Sequence, residues 1–420
     1  MDKIIVTGGN ALHGTVEISG MKNAALPIIY ACVLVGAKCT LENIPNVKDV
    51  ALSLNILRKM GAVINTVNET TYEIDCSNIN PGTSDPSLVQ KIRASYYLLG
   101  AELGRYKNAK VAFPGGCDFG GRPIDQHIKG FEMLGANVST SGGSVSISAD
   151  ELCGTNIFFD VVTVGATINV ILAAVLATGT TVIENAAREP HIVDLANFLN
   201  ACGARISGAG TDVIKIKGVT NLHGCTYAII PDMIEAGTYM VAAAATGGSV
   251  KITNVIPKHL ESISSKLEET GAIVEEFDDA VLVTGREKIR KANVKTHPYP
   301  GFPTDMQPQM ATLLCLASGV SYVSEGVYEK RFRYVDELRK MGASIKVDGR
   351  MAVIEGGLPL HGAHVYAVDL RAGVAMIIAA LAATGTTEIS NVHLIERGYD
   401  DVVGKFRSLG ADIKRISVPD

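Results

Sequence analysis

The chain has 420 residues, of which 47% are hydrophobic and 19% are charged, with a formal net charge of -5. This length exceeds what one ordinary hydrophobic core accommodates, so we expect two domains or three. The slightly acidic balance argues against a nucleic-acid partner, and any anionic ligand must therefore be held by a local cluster of arginine and lysine.

One motif recurs six times along the chain, at intervals of about 70 residues. In each copy, a run that contains leucine or phenylalanine ends in Gly-Ala, and a short stretch such as 343–347 follows. The pattern predicts an amphipathic helix closed by a glycine cap and then a strand. The six glycines are Gly61, Gly135, Gly203, Gly271, Gly342 and Gly410.

Most copies also contain an apolar run that ends in small residues, as in 171–181, 240–249 and 377–387. A predicted strand ending in asparagine follows, and a helix that is apolar on every face must be enclosed. Six such units predict two pseudo-threefold α/β domains, with the apolar helices inside, the strands outside and a ligand-binding cleft between the domains. A six-unit solenoid is the alternative, although these units are longer than common solenoid repeats. The asparagines are Asn43, Asn185, Asn254 and Asn391.

The first copy begins with a lysine and an asparagine, Lys22 and Asn23, at the start of a predicted apolar helix. Free amide groups at a helix N-terminus, together with a lysine, form a site suited to anions. The alternative is a solvated lysine beside an asparagine cap.

The second copy contains a cysteine, Cys117, surrounded by four glycines in the stretch 114–123 and followed by Arg122. Glycine allows the backbone to approach a ligand closely, and a nearby guanidinium favours the thiolate. The stretch predicts a mobile, reactive lid over an anionic ligand. The alternative is a glycine-rich surface turn with an incidental cysteine.

No stretch of the sequence predicts a membrane span, a secreted protein, a metal site or a cofactor. The uncharged run 161–177 is short for a span and contains Thr, Gly and Asn, so it predicts a buried core helix. Residues 1–9 lack a secretory pattern and the eight cysteines form no C-x-x-C pair, so we expect reduced thiols in the cytosol. His361 and His364 form a close pair without a nearby third ligand.

The fifth copy places Asp305 among prolines in the stretch 299–309, ahead of an apolar helix. An aspartate in this position predicts either an N-terminal cap or a base held in a rigid turn. The sequence leaves both interpretations open.

Arginines recur near the predicted loop ends, and the planar guanidinium suits phosphate and carboxylate groups. Each arginine alone is weak evidence for a site, but we expect the set to occupy the same topological point of the repeat. The arginines are Arg93, Arg122, Arg331, Arg333, Arg371 and Arg397.

In combination, these segments resemble the UDP-N-acetylglucosamine enolpyruvyl transferase family of the EPSP synthase-like superfamily, along the full length of the chain. The matching segments include PGGC, GRPIDQH, TVGAT, ENAAREP, FPTDMQ, YEKRF and VDLRAG. The resemblance implies two inside-out α/β barrels of three repeats each, with the active site in the cleft between them. It assigns residues 21–229 to one domain and residues 1–20 plus 230–420 to the other, so that the N-terminal strand crosses over.

The resemblance also implies the reaction and its participants. The enolpyruvyl group of phosphoenolpyruvate passes to the 3-hydroxyl of UDP-N-acetylglucosamine and phosphate is released, in the first committed step of peptidoglycan synthesis. Such an enzyme is cytoplasmic and uses no cofactor or metal. Nothing in the sequence sets the oligomeric state.

The residues of the resemblance fall into two sets. Lys22, Arg122 and Arg397 match the residues that hold phosphoenolpyruvate, and Cys117 matches the cysteine that acts at its methylene carbon and is alkylated by fosfomycin. The remaining matches, to the UDP-sugar or to positions near the reacting groups, are Asn23, Arg93, Arg122, Pro123, Ile124, Asp125, Gln126, Thr163, Val164, Gly165, Asp305, Val327, Arg331, Asp369 and Arg371.

The implied mechanism is addition followed by elimination. Cys117 is the candidate acid, or a covalent trap for phosphoenolpyruvate, and Asp305 is the candidate base for the sugar hydroxyl. The cations Lys22, Arg122 and Arg397 neutralise the carboxylate and the phosphate of the substrate.

Two residues depart from the family pattern. Val161 stands where some members carry lysine, and Asp118 follows the reactive cysteine, where its charge disfavours the thiolate. Two other functions stay open: the sister enolpyruvyl transferase of shikimate metabolism, and a non-catalytic UDP-sugar sensor built on the same fold.

Overall fold

The computed structural model describes residues 2–113 and 123–417. The predictions made for Cys117, Asp118 and Arg122 therefore lie outside the described residues.

The described residues form thirteen α-helices, twenty-three β-strands and five short 3₁₀ helices. The α-helices are α1 (Lys22–Val35), α2 (Lys48–Lys59), α3 (Pro86–Val89), α4 (Tyr97–Tyr106), α5 (Asp125–Met133), α6 (Val164–Ala174), α7 (Pro190–Ala201), α8 (Met233–Thr246), α9 (Glu261–Thr270), α10 (Gln307–Leu316), α11 (Val335–Lys340), α12 (Leu370–Ala382) and α13 (Val402–Ser408). The strands are β1 (Asp2–Thr7), β2 (His13–Glu17), β3 (Lys38–Glu42), β4 (Val63–Asn68), β5 (Thr71–Asp75), β6 (Asn108–Ala112), β7 (Asn137–Ser141), β8 (Ser144–Ser148), β9 (Asn156–Phe158), β10 (Thr180–Glu184), β11 (Ile206–Ser207), β12 (Val213–Lys217), β13 (Thr226–Ala228), β14 (Ser249–Thr253), β15 (Ile273–Glu276), β16 (Ala280–Thr284), β17 (Val294–Lys295), β18 (Gly319–Ser324), β19 (Ser344–Asp348), β20 (Met351–Gly356), β21 (His364–Tyr366), β22 (Thr386–Ser390) and β23 (Asp412–Ser417). The 3₁₀ helices are Arg93–Tyr96, Pro257–Leu260, Thr304–Met306, Arg331–Tyr334 and Val392–Arg397.

Six helices, α1, α4, α6, α8, α10 and α12, are the buried central helices of the two halves of the fold, three in each half. In α1 every residue except Asn23 is buried, and in α12 every residue except Ala382 is buried. A helix without a polar face is stable only when other elements cover it on all sides. The outer helices α2, α5 and α9 instead bury one face and expose the other, as the repeated motif predicts.

The described residues divide into two compact units. The N-terminal unit comprises residues 20–113 and 123–230, and the C-terminal unit comprises residues 2–19 and 231–417. Helices α1, α4 and α6 contact one another in the N-terminal unit, as do α8, α10 and α12 in the C-terminal unit. Because the first and the third helix of each trio also touch, each unit is closed, whereas the repeats of a solenoid contact only their neighbours.

Three sheets belong to each unit within the described ranges. The N-terminal unit has the strand orders β13-β3-β5-β4, β6-β8-β7 and β11-β12-β10-β9. The C-terminal unit has the orders β15-β16-β14-β2, β17-β18-β20-β19 and β21-β22-β1-β23. Strands of these sheets contact the central helices, for example β6 with α4 and β14 with α8. The predicted α/β fold of two units with three repeats each is confirmed.

The first two strands of the chain complete sheets whose other strands come from the C-terminal half. Strand β1 pairs antiparallel with both β22 and β23, and β2 pairs parallel with β14. Residues 2–19 therefore share backbone hydrogen bonds with residues more than two hundred positions later in the chain.

The repeated glycines end the outer helices, as the motif predicts. Their φ angles run from +94° at Gly410 to +107° at Gly61, a backbone region that side chains with a Cβ rarely adopt. The four asparagines after the strands also have positive φ, between 55° and 62°. Each of these side chains donates a hydrogen bond to a backbone carbonyl: Asn43 to Ile229 (2.8 Å), Asn185 to Phe159 (2.8 Å), Asn254 to Ile18 (2.6 Å) and Asn391 to Ala367 (3.3 Å).

The uncharged run 161–177 contains α6, in which residues 166–174 are all buried, as predicted for a core helix. Among the helices that the structure describes, none has the length and apolar character needed to cross a membrane.

Candidate functional site

In the N-terminal unit, Lys22 lies at the first turn of α1 with only 9% of its surface exposed. Its Nζ is 3.2 Å from Oδ2 of Asp49, a buried residue in the first turn of α2. The residue before α1 is Met21, and no side chain caps the helix, so Asn23 is not a cap. The alternative of a solvated lysine beside an asparagine cap is therefore wrong, because packing of α2 on α1 buries the amine next to a carboxylate.

The predicted segments 123–126 and 163–165 come together where α5 and α6 begin. Gln126 bonds to Asp160, three residues before Thr163: its Oε1 accepts a hydrogen bond from the backbone N–H of Asp160 (3.0 Å), and its Nε2 donates to Asp160 Oδ2 (3.0 Å). The same Nε2 donates to Asp125 Oδ2 at 2.8 Å. Thr163 precedes α6, so this part of the unit presents two helix N-termini, whose amide groups favour negative charge.

Arg93 and His127 lie beside these helix starts. Arg93 opens a 3₁₀ helix ahead of α4, with its Cζ 5.6 Å from the ring centroid of Tyr96. Burial, and secondarily the charge of Arg93, lowers the pKa of His127 to about 4, although Asp125 acts in the opposite direction. The imidazole is therefore neutral at physiological pH and adds no positive charge to this part of the unit.

Gly165 allows the His127 ring to pack against α6. A Cβ on Gly165 would lie 2.8 Å from His127 Nε2, so any other residue there would force the ring to shift. Sequence reasoning did not select His127, although the residue directly follows Gln126 in the GRPIDQH segment. The sequence signal for His127 was its place in this motif, because the sequence does not show that Gly165 faces the His127 ring.

In the C-terminal unit, Asp305 lies between two buried arginines. Its Oδ1 accepts a hydrogen bond from Arg331 Nη2 at 3.2 Å, and its Oδ2 accepts from Arg371 Nε at 3.3 Å and Nη2 at 3.2 Å. The arginine side chains are 1% and 3% exposed, whereas the Asp305 side chain is 27% exposed. Of these three groups, the carboxylate is the one open to a ligand.

The cap interpretation of Asp305 is wrong. Asp305 lies inside the 3₁₀ helix Thr304–Met306, and the residue before α10 is Met306, with no side-chain cap on that helix. The carboxylate makes its bonds to side chains from two other segments. The structure thus shows a positioned carboxylate in this turn, and its role as a base stays a prediction.

Asp369 orients Arg371 through a helix cap. Asp369 precedes α12, and its Oδ1 accepts hydrogen bonds from the backbone N–H groups of Arg371 (2.8 Å) and Ala372 (2.9 Å). The Arg371 guanidinium also lies over the Tyr399 ring, 5.2 Å from its centroid, in a cation–π contact. The cap and the ring together fix the direction in which Arg371 reaches Asp305.

Glu325 links the segment that carries Val327 to the turn that carries Asp305. It is 1% exposed, and its Oε1 accepts hydrogen bonds from the Val327 backbone N–H (2.8 Å) and the Thr304 hydroxyl (3.1 Å). The Val327 side chain itself is partly exposed. No sequence signal selected Glu325, because a buried glutamate after a strand is recognisable only from its partners.

The arginines do not share one topological point, so that expectation is wrong. Arg93 and Arg371 lie at the starts of central helices, whereas Arg331, Arg333 and Arg397 lie in 3₁₀ helices ahead of the outer helices α11 and α13. Each repeat has two helix starts, one central and one outer, and arginines occupy both kinds.

The remaining predicted residues are placed as follows. Arg397 ends its 3₁₀ helix and is half-buried, and Val161 is exposed shortly before α6. Within residues 2–113 and 123–417, no group of three or more His, Cys, Asp and Glu side chains is arranged to hold a metal ion. The described chemistry is thus a set of cations at helix starts and one carboxylate held by two guanidinium groups.

The family model of EPSP synthase (3-phosphoshikimate 1-carboxyvinyltransferase) matches residues 6–406. A UDP-N-acetylglucosamine 1-carboxyvinyltransferase of Clostridium botulinum is 58% identical over 417 residues, which are 99% of this chain and 100% of that relative. The UDP-N-acetylglucosamine 1-carboxyvinyltransferase 2 of Clostridium acetobutylicum is 56% identical, over 99% of each chain.

Two solved structures have the same fold. The enolpyruvyl transferase NikO from Streptomyces tendae is 28% identical with a TM-score of 0.89, over 100% of this chain and 99% of that one. An EPSP synthase from Acinetobacter baumannii is 19% identical with a TM-score of 0.77, over 99% and 100% of the two chains. At that identity the second likeness concerns the fold alone.

Proposed function

The chain belongs to the EPSP synthase family, among its UDP-N-acetylglucosamine 1-carboxyvinyltransferases, and on that premise we propose the reaction that it catalyses. It transfers the enolpyruvyl group of phosphoenolpyruvate to the 3-hydroxyl of UDP-N-acetylglucosamine and releases phosphate. The observation that carries this proposal is the 58% identity over 99% of the chain to a relative of that name. The Asp305 cluster and the buried Lys22 supply the kinds of charged group that the chemistry needs.

Phosphoenolpyruvate carries a carboxylate and a phosphate, so its site must be cationic. We assign this role to Lys22, Arg122 and Arg397, the positions that match the family. Lys22 supports the assignment because its amine is held at the start of α1, where the helix amides add positive potential. Cations fixed before the substrate arrives stabilise the charge that develops in the transition state without reorganisation.

The reaction needs an acid first and a base second. Cys117 gives a proton to the methylene carbon of phosphoenolpyruvate, or forms a covalent adduct with it, and the central carbon gains oxocarbenium character. The sugar 3-hydroxyl then attacks that carbon and gives its proton to Asp305. Cleavage of the carbon–phosphate oxygen bond releases phosphate, and loss of a methyl proton restores the double bond.

The two arginines around Asp305 are compatible with this role. Their hydrogen bonds hold the carboxylate in place. A carboxylate suffices as the base here, because the sugar hydroxyl becomes strongly acidic once its oxygen begins to bond to the cationic carbon. A fixed orientation contributes more than basicity in such a step.

The UDP-sugar contacts are proposed for the two helix starts of the N-terminal unit and for the loop of Val327. The residues are Asn23, Arg93, Arg122, Pro123, Ile124, Asp125, Gln126, Thr163, Val164, Gly165, Asp305, Val327, Arg331, Asp369 and Arg371. Helix N-termini suit a diphosphate, and Gln126 supports the proposal by bonding to Asp160, three residues before Thr163. The exposed Val161 leaves that segment without the lysine of some relatives.

The proposed reaction implies a cellular process and an inhibitor for this enzyme. As the first committed step of peptidoglycan synthesis, it makes the chain a cytoplasmic enzyme of cell wall biogenesis, with effects on cell shape, cell division and the cell cycle. It also makes Cys117 the target of fosfomycin. These statements follow from the proposed activity and stand or fall with it.

The experiment is inorganic phosphate release from phosphoenolpyruvate, measured with UDP-N-acetylglucosamine, with shikimate 3-phosphate, and with neither. The proposal predicts release only with the sugar nucleotide, and its loss after incubation with fosfomycin. Release with shikimate 3-phosphate instead would identify the sister enzyme. Binding of UDP-N-acetylglucosamine without any release would identify a non-catalytic sensor, and release that survives fosfomycin would remove Cys117 from its role.

A further inference from the structure

Five of the eight cysteines lie near one another in the N-terminal unit. Cys32 belongs to α1 and lies ten residues after Lys22, or about 15 Å along the helix axis. The cluster is therefore at the opposite end of α1 from the lysine proposed to hold phosphoenolpyruvate. Its members are Cys32, Cys39, Cys76, Cys202 and Cys225.

Two members of the cluster, Cys202 and Cys225, face each other closely. The Sγ atoms of Cys202 and Cys225 are 3.3 Å apart, and both residues are free thiols in this structure. Cys202 is fully buried directly after α7, and Cys225 is partly exposed directly before β13. A disulfide requires an S–S distance of about 2.05 Å, so the two sulfur atoms need to close by about 1.2 Å.

The backbone around this pair is held on both sides. The N–H of Cys202 bonds to the carbonyl of Phe198 at 3.0 Å, and the carbonyl of Cys225 accepts from the N–H of Thr40 at 2.9 Å. Asp194 of α7 accepts a hydrogen bond from the Tyr227 hydroxyl at 2.6 Å, which ties α7 to β13 close to the thiols. Rotation of the two side chains can therefore bring the sulfur atoms together without breaking these backbone hydrogen bonds.

We propose that Cys202 and Cys225 are a dithiol–disulfide pair, a modification site that hydrogen peroxide oxidises and a small thiol reduces. The partly exposed Cys225 reacts first: its thiolate attacks the O–O bond, an S–O bond forms, and one water leaves after protonation. The thiolate of Cys202 then attacks the sulfenic sulfur, so that the S–S bond forms and hydroxide leaves. That hydroxide takes up the thiol proton as the second water, and the two thiols together lose two electrons.

This site is independent of the proposed transfer reaction, since none of its residues is assigned to the substrates. The other thiols of the cluster are the competing partners. Cys39 is close enough to Cys32 and Cys202 for the thiols to influence one another, and it is fully buried. Cys225 reacts before the buried Cys39 because the first step needs contact with hydrogen peroxide, and Cys225 is partly exposed.

The test is peptide mapping of the full-length chain after treatment with hydrogen peroxide and alkylation of the remaining thiols. Trypsin places each cluster cysteine in a separate peptide, because lysine or arginine lies between all of them. The peptides are 23–38, 39–48, 60–91, 189–205 and 218–251. Burial raises the pKa of Cys225, so little thiolate is present at neutral pH and the incubation has to be long.

The expected product is a disulfide-linked pair of peptides 189–205 and 218–251, which dithiothreitol separates. Cys225→Ser removes the link, whereas Cys153→Ser, at an exposed free cysteine outside the cluster, leaves it unchanged. Three results would overturn the proposal: both thiols stay reduced, Cys202 links to peptide 39–48, or Cys225 goes to sulfinic acid without a link. The wild-type map alone decides among them, so the outcome does not depend on whether a variant folds.

Discussion

The N-terminal and the C-terminal unit share one architecture but carry different charges at the starts of their helices. In the N-terminal unit, Lys22 is matched by one carboxylate, Asp49. In the C-terminal unit, the single carboxylate of Asp305 is shared by Arg331 and Arg371. The repeated apolar pattern sets the fold in both units, and it leaves the residues at helix starts free to differ.

The two helix starts also differ in the free energy of burying their charges. Burying a charge costs several kcal/mol unless a partner offsets it, so a one-to-one pair is close to balanced. In the C-terminal unit, the charge of Asp232 acts on Arg371 in addition to that of Asp305, so this buried guanidinium is also offset within the protein. Both helix starts thus hold buried cations beside carboxylates, and they differ in how many cations share one carboxylate.

Removing the charge of Lys22 is expected to have two separate effects. In Lys22→Met, phosphate release falls by about 10²–10³-fold, because a fixed cation at the substrate is lost. The same variant loses about 3 kcal/mol of unfolding free energy, because Asp49 keeps a buried charge without its amine. Phosphate assays and denaturant unfolding measure the two effects.

The double variant Lys22→Met with Asp49→Asn separates stability from activity. It is expected to recover most of the lost unfolding free energy while phosphate release stays low. Recovery of both together would mean that Lys22 acts only in folding. That result would contradict the assignment of the lysine to phosphoenolpyruvate.

A second comparison concerns two buried glutamates, Glu102 in α4 and Glu235 in α8. Burial raises the pKa of each from 4.5 to about 7, but Glu235 has Lys405 at 2.6 Å, whereas Glu102 accepts from the Gly82 backbone N–H at 3.1 Å. A raised carboxyl pKa means that the folded state binds more protons between pH 4.5 and 7. Stability therefore falls as pH rises through that window.

Glu102→Gln is expected to remove this cost. At pH 8 the variant gains about 1–3 kcal/mol over the parent chain, and at pH 4 the gain disappears. Glu235→Gln is the matched control, and it gains less or loses stability at pH 8, since Lys405 is left without its carboxylate. Urea unfolding at both pH values decides, and equal gains in the two variants would contradict the account.

We expect substitution of a repeated glycine to lower the stability of the two units by similar amounts. Gly135 and Gly410 have φ of +96° and +94°, and a Cβ would meet little at either position. Alanine at each is expected to cost about 1 kcal/mol from the left-handed backbone alone. Asparagine, which tolerates that region, should cost less at both. A large difference between the units would show that the caps are not equivalent.

The sequence predicted the parts of the fold that repeat. The glycine caps and the apolar runs recur in copy after copy, so period alone identified the central helices and the number of units per domain. Arg331 shows the limit: it was selected as a loop-end arginine, but its burial and its bond to Asp305 join segments 26 residues apart. Asp49 and Glu325 carried no signal, because a buried carboxylate is recognised only through partners that the sequence does not reveal.

Asp305 of the C-terminal unit is the proposed base of the transfer reaction. The most direct measurement compares turnover and UDP-N-acetylglucosamine binding in Asp305→Asn, with Asp336→Asn at an exposed Arg339 pair as the control. The account predicts that phosphate release falls about 10²–10⁴-fold in Asp305→Asn, that calorimetry still detects binding of the sugar nucleotide, and that the control is unchanged. Unchanged phosphate release in Asp305→Asn would contradict it.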